Sequence, residues 1–218
     1  MGALKGAFIN FGAGLLGALP NIVVFQFNPD KVTRTPSLVQ PPPKDDGSGT
    51  HDALQQPGQP SESYSFSLRV DATDQLAGSN PIAAASGILP TLSALELLMV
   101  PKGSLSIDLF NLGGGDKPYQ IPPNKLPTVL FFWGPYRIFP VNITSLSITE
   151  TEYDPLLNPI RAEVSVNLQV LTTSQLDPNA TIARGAYQYS QGVKEVMAAL
   201  NLANAVQLGV SASFSLSI

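Results

Sequence analysis

Residues 127–171 have the sequence PTVLFFWGPYRIFPVNITSLSITETEYDPLLNPIRAEVSVNLQVL. Within this stretch, residues 129–134 are an apolar run of strand length that ends in a glycine. Residues 142–150 place Leu146 and Ile148 on one face, and residues 160–170 alternate between apolar and polar side chains. A period of two is typical of a strand with one buried face, and the proline and asparagine residues within 154–159 predict a turn. We therefore predict three antiparallel strands that share one continuous apolar face.

The composition indicates that part of the surface is covered by another protein molecule. Only 13% of the 218 residues are charged, against a usual quarter, and 44% are hydrophobic. We expect such a chain to associate with copies of itself. The net charge of −4 comes with no basic run, which argues against a nucleic-acid partner. No run reaches the roughly 18–20 apolar residues of a membrane span, and the absence of cysteine excludes disulfides.

The remaining patterns predict a mainly β, α+β fold with one or two packed helices. Strands are expected at 4–11, 22–27, 63–71, 105–109 and 208–218, and helical spacing occurs at 82–100 and 186–205. Residues 35–62 are rich in proline, glycine and polar residues, which predicts a long loop. This loop is either a disordered insertion or an arm that reaches a neighbour. We assign residues 1–171 to one β domain and residues 172–218 to a helix-plus-strand extension of it.

No set of side chains has the composition of an active site. The single histidine, His51, lies in the Pro-rich loop without cysteine nearby, so we interpret it as a solvated residue. The carboxylates within 150–154 have strand spacing and predict an exposed or inter-subunit charge ladder with Arg161. Trp133 is expected to be a core aromatic residue, and the alternative is a carbohydrate-binding β-sandwich that stacks sugars on it. We predict no enzymatic activity, no cofactor and no metal site.

An ordered series of motifs runs from residue 5 to residue 171. It comprises KGA at 5–7, PN at 20–21, VVFQFNP at 23–29, SFSL at 65–68 with an acidic residue at 71, PTVLFFWG at 127–134, and a strand pair at 141–151 and 160–171. The series resembles the N-terminal tube-like domain of contractile injection system tube-related baseplate adaptors, many of which carry a C-terminal LysM domain. We assign structural roles to its most characteristic residues, which are Phe27, Asn28, Pro29, Phe132, Trp133 and Gly134.

The resemblance implies a tail-tube-like antiparallel β-barrel or sandwich, assembled six to a ring. In that family the ring lies where the inner tube meets the central spike, initiates tube polymerisation and has no active site. The implied partners are copies of the chain, the inner tube protein, a VgrG-like spike protein and other baseplate components. The implied location is the cytoplasm during assembly, within the injection particle.

This chain departs from the LysM-bearing pattern. After residue 171 we expect only one helix and one strand, so no LysM domain is evident, and the chain is either a shortened adaptor or a protein with a tail-completion role. The alternative within the same machine is an inner tube subunit. The long loop and the C-terminal segment are the predicted interfaces, with Pro41, Pro42, Pro43, Phe214, Leu216 and Ile218 as candidate contact residues.

Overall fold

The computed structural model describes residues 4–11, 21–38, 58–101 and 126–207. The strands are β1 Ala7–Phe11, β2 Asn21–Val24, β3 Val32–Ser37, β4 Ser61–Asp71, β5 Thr128–Phe132, β6 Ile138–Tyr153 and β7 Pro159–Val170. The helices are α1 Thr73–Ala77, α2 Pro81–Ser86, α3 Leu89–Glu96 and α4 Thr181–Gln207, with a 3-10 turn at Leu97–Met99. The described chain is therefore mainly β with packed helices, as predicted.

These strands form one antiparallel sheet in the order β2-β1-β5-β6-β7-β4-β3. The three strands predicted from residues 127–171 are neighbours, since β6 pairs with β5 on one side and with β7 on the other. This part of the prediction is confirmed. The closed barrel is not, because the described strands leave β2 and β3 as two unpaired edges.

The open sheet curls around an aromatic core. The rings of Phe8 on β1 and Phe66 on β4 lie 6.3 Å apart, although three strands separate β1 from β4 in the sheet. Phe131 on β5 stacks on Phe66 at 5.4 Å and contacts Tyr64 at 5.7 Å. The period-two pattern explains which side faces inward, since the apolar residues of β4 and β7, apart from half-buried Ile160, are buried and join the core with residues of α2 and α3.

Two sequence predictions near the first proline-rich segment are wrong in their bounds. Strand β2 ends at Val24 rather than at residue 27, and residues 35–37 and 61–62 of the predicted loop belong to the paired strands β3 and β4. Strand β3 was not predicted because its sequence, VTRTPS, is exposed along most of its length and so has no apolar face. Its proline is tolerated because the strand lies at the sheet edge. The predicted strands at 105–109 and 208–218 lie outside the described residues.

Helix α4 packs with its first half and projects with its second. Ala183, Tyr187 and Ser190 are buried at spacings of four and three residues, which is one face of a helix. The Ser190 hydroxyl donates to the carbonyl of Ile138 at 2.6 Å and accepts from its N–H at 3.1 Å. Residues 195–204 are exposed throughout. Within the described part of the chain, no helix has the length and apolarity needed to cross a membrane.

Candidate functional site

The solvent-facing side of strands β3, β4, β7 and β6 carries rows of small polar side chains, which we call the polar face. The strand registers place these residues opposite one another. The rows consist of Thr35, Ser63, Gln169 and Asn142; then Thr33, Ser65, Asn167 and Ser145; then Ser67, Ser165 and Ser147. Side chains on neighbouring strands also form hydrogen bonds within a row. For example, the Asn167 side-chain amide donates to Ser145 Oγ at 2.9 Å. The polar face is thus hydrophilic.

Charge is concentrated at the end of the polar face near the turn between β6 and β7. Arg161 donates from Nε to Asp71 at 2.7 Å and from Nη1 to Glu152 at 2.7 Å. Burial raises the pKa of Asp71, but hydrogen bonds from Thr73 and Arg161 outweigh it and hold that pKa below its ordinary value. The predicted charge ladder is present between Glu152 and Arg161. Asp154 instead closes the turn through hydrogen bonds to its own loop.

One side of the polar face is bordered by an open groove of about 780 Å³. Its wall is the segment that links β2 to β3, including the predicted motif residues Phe27, Asn28 and Pro29. The Asn28 side chain accepts from the N–H of Gly6 at 2.9 Å and donates to the carbonyl of Leu4 at 2.8 Å. It therefore ties the chain before β1 to the groove wall.

Gln26, which the sequence analysis missed, bridges two parts of the sheet that are not strand neighbours. Its side-chain amide donates to the carbonyl of Asp71 at 2.6 Å, and its amide oxygen accepts from the Asp71 N–H at 2.8 Å. These two hydrogen bonds resemble those that the backbone of a neighbouring strand would form with Asp71. Since β2 and β4 are not paired with each other, Gln26 helps to hold the curl where the sheet stays open.

The other motif residues lie at the end of β5. Phe132 and Trp133 are half-buried, and the Trp133 ring packs 6.1 Å from Phe131 and 6.4 Å from Phe25. Gly134 follows with a φ of 80°, in a turn where the Trp133 N–H donates to the carbonyl of Arg137 at 2.8 Å. The indole thus packs against the core rather than forming a free platform for a sugar.

At the other end of the polar strands, a buried carboxylate joins three elements. Glu62 on β4 is only 6% exposed, and it accepts from Tyr64 at 2.7 Å and from Lys194 on α4 at 2.6 Å, while Arg34 on β3 pairs with it. Desolvation alone would raise the pKa of Glu62. The hydrogen bonds from Lys194 and Tyr64 and the two cationic charges outweigh it, so the pKa lies below its ordinary value.

The same contacts change the pKa of Tyr64 in the opposite direction. Burial, together with the bond to the carboxylate, raises the pKa of Tyr64. The sequence signal for this cluster was a lone acidic residue two positions before Tyr64, on the face of β4 that turns inward.

Three of the six motif residues lie in the wall of the groove, and the other three lie at the end of β5. The six interface candidates, Pro41, Pro42, Pro43, Phe214, Leu216 and Ile218, lie outside the described residues. In the four described ranges, no group of three or more His, Cys, Asp or Glu side chains is placed to hold a metal ion.

Comparison with protein families identifies the architecture. The family model described as contractile injection system tube protein matches residues 17–178, which is most of the chain. The chain belongs to this family. Comparison with curated protein sequences gives no significant match. As a member of the contractile injection system tube family, the chain is a structural component of such a machine. The polar face is the candidate for its functional surface.

Proposed function

We propose that the protein forms a ring that joins the inner tube to the central spike in the baseplate of a contractile injection system. The ring is built from six copies, contacts the inner tube protein, a VgrG-like spike protein and other baseplate components, and acts without catalysis. It assembles in the cytoplasm as part of the injection particle. The observation that carries this proposal is the four-stranded block β6-β7-β4-β3, which has a polar face and, among the described strands, a free edge at β3 and along residues 142–153 of β6.

The two free edges have the right polarity to pair with each other. Strand β3 is the edge of the sheet, and residues 142–153 of β6 pair only with β7 among the described strands, because β5 covers only residues 138–141. The four strands alternate in direction. When copies are related by rotation, β3 of one copy is therefore antiparallel to β6 of the next. Repeating this contact closes a ring and removes both edges, apart from the one hydrogen bond that Pro36 cannot donate.

The difference between the two sides of the block indicates which side faces the channel. The apolar side packs against β1, β5 and the helices, whereas the polar face is largely exposed and is bordered by the segment that links β2 to β3. In a closed ring the bulkier side lies outside and the polar face lines the interior. Barrels of about 16 strands already leave an aqueous channel, and six copies of a four-stranded block exceed that number. Small hydroxyl and amide side chains would keep such a channel wet and smooth.

Cysteine cross-linking tests the edge pairing, because the chain has no cysteine of its own. One cysteine is placed on β3, as Thr33→Cys or Thr35→Cys, and a second on the free part of β6, as Ser145→Cys, Ser147→Cys or Thr149→Cys. Within one chain these strands are three spacings apart, roughly 14 Å, which is too far for a disulfide. Oxidation of at least one double variant should give a ladder of covalent products that ends at six chains.

Single-cysteine variants are the matched controls, and they can yield dimers at most. If every double variant gives no more than its single-cysteine controls, the ring model of β3 against β6 is wrong.

A second candidate function is favoured by the family description, which names a tube protein. An inner tube subunit would use the same edges but repeat along the tube. Against this role stands the long proline-rich connection between β3 and β4, which tube subunits usually lack. Long polymers growing from the purified chain alone would favour the tube subunit, and growth that requires the spike protein would favour the adaptor.

A further inference from the structure

The edge of the sheet at β3 is basic. Residues 31–37 contain two cations, Lys31 and Arg34, and no carboxylate, and the nearest one, Asp30, lies in the bend before the strand. Lys31 is exposed and forms no ion pair with the residues that the structure describes. Arg34 pairs with Glu62, but its side chain is still 45% exposed. Both cations are therefore accessible to a second molecule that approaches the open side of β3.

The free part of β6 is acidic. Residues 142–153 contain two carboxylates, Glu150 and Glu152, and no cation, and residues 149–153 are all exposed. Glu152 accepts from Arg161 through Oε1 at 2.7 Å, and its side chain remains 52% exposed. Because a carboxylate can accept several hydrogen bonds, Glu152 can also bind a second cation. The charge of this edge is thus complementary to that of the edge at β3.

Lys31 and Glu152 both lie on the side of their strands that forms the polar face. Glu152 is opposite Arg161 in the register of β6 and β7, at the charged end of the polar face. Lys31 comes two residues before Thr33, which belongs to a row of the polar face, and alternate residues of an extended chain share one side. When β3 pairs with β6 of the next copy, Lys31 and Glu152 can therefore lie opposite each other.

Arg34 and Glu150 lie on the other side of the same strands. Each is opposite a buried core residue of the neighbouring strand in its own copy. The register of β6 is irregular between Glu150 and Glu152, which adds one residue to this strand. In an antiparallel pair that sets Lys31 against Glu152, Arg34 and Glu150 then become diagonal neighbours, a separation that long side chains can bridge. One register thus suits both pairs of charges.

We propose that Lys31 of one copy forms an ion pair with Glu152 of the next copy, and that this pair selects the register in which β3 joins β6. The inference rests on the proposed function, because it specifies the lateral contact of the ring. In this register Thr35 lies opposite Ser147. A single exposed ion pair contributes little, but a closed ring repeats it in every copy, and like charges at these positions would oppose every contact.

Reciprocal charge changes test the pairing. The first variant is Lys31→Glu and the second is Glu152→Lys, and each alone sets like charges against each other at the lateral contact. In a 1:1 mixture, the two changed residues meet at one contact and the two native residues meet at the next. Rings in which the variants alternate can therefore close, because the proposed number of copies is even. Arg137→Glu and Glu96→Lys are the matched controls, since both sites are exposed and lie outside the two edges.

We expect each variant alone to lose the rings that wild type forms, while the 1:1 mixture regains them. A single chain that carries both changes should also regain them, and both controls should assemble like wild type. Assembly is measured by sedimentation at low ionic strength, where charges are screened least, and thermal unfolding shows whether each variant is folded. If either charge variant assembles like wild type, or if the mixture of folded variants does not recover, the proposal is wrong.

The cysteine pairs separate this proposal from the proposed function. The proposed register predicts a disulfide ladder for Thr35→Cys with Ser147→Cys, but not for Thr35→Cys with Ser145→Cys, whose side chains would be diagonal and too far apart. If the ladder reaches six chains only through the second pair, the ring stands and the proposed ion pair is wrong. If wild type forms no rings and no double-cysteine variant gives a ladder, the ring model and the ion pair both fail.

Discussion

Among the described glycines, Gly87 is the one where an added methyl group should cost most. It ends α2 with φ 56° and ψ −128°, and a Cβ built on it would lie 2.1 Å from the carbonyl oxygen of Pro159, the first residue of β7. That oxygen accepts the N–H of Ile88 at 2.9 Å. The backbone strain costs about 1–3 kcal/mol, and losing the Ile88 bond adds about 1 kcal/mol. We therefore expect Gly87→Ala to lower the free energy of unfolding by about 2–4 kcal/mol.

Thermal and urea unfolding at low protein concentration measure this loss. For a chain of this size it corresponds to a fall in Tm of about 5–15 °C. Gly185→Ala is the matched control, since Gly185 lies inside α4 and an added Cβ meets no atom within 4 Å. Removing a helical glycine should stabilise by roughly 0.5–1 kcal/mol. If Gly87→Ala unfolds at the same temperature as wild type, the reasoning about the α2–β7 contact is refuted.

Three further substitutions test other contacts. Gln26→Ala removes both bonds to the Asp71 backbone and should lower the urea midpoint by the equivalent of about 1–3 kcal/mol; an unchanged midpoint would mean that the curl does not depend on this bridge. Ser190→Ala leaves the N–H of Ile138 without its partner and should cost a similar 1–3 kcal/mol, with loss of protection from hydrogen exchange in α4. Glu62→Gln should cost about 1–2 kcal/mol near neutral pH. Because the folded pKa of Glu62 lies below its ordinary value of 4.5, its contribution is present above that value and is lost as pH falls through the folded pKa. The difference in the free energy of unfolding between wild type and Glu62→Gln should therefore become smaller on acidification. A difference that stays constant from pH 7 to pH 3 would contradict this assignment.

Periodicity predicted the parts of the fold whose side chains divide cleanly between core and solvent. Strand β7 is the clearest case, since its alternating apolar residues, including Val164 and Leu168, are buried except for half-buried Ile160. Helix α4 was predicted over residues 186–205, but most of that span is exposed, and the buried residues Ala183 and Tyr187 lie before it or at its start. Strand β3 escaped because an exposed edge strand has no apolar face to reveal it.

The contacts that shape the site could not be read from local patterns. Glu62 and Lys194 are 132 positions apart, and no local pattern near either residue predicts its contact with the other. Gln26 was an unremarked polar residue within a motif, and its bridge to Asp71 depends on how the sheet curls. The curl is set by packing among rings such as Phe8 and Phe66, which belong to strands far apart in the sheet order.

The most direct test of the central claim is the mass of the particle that the purified chain forms, alone and with the spike protein, combined with images of the same samples. We predict six-fold rings of about six times the 23.1 kDa chain mass, formed alone or once the spike protein is added. A chain that stays monomeric and ignores the spike protein would contradict the account.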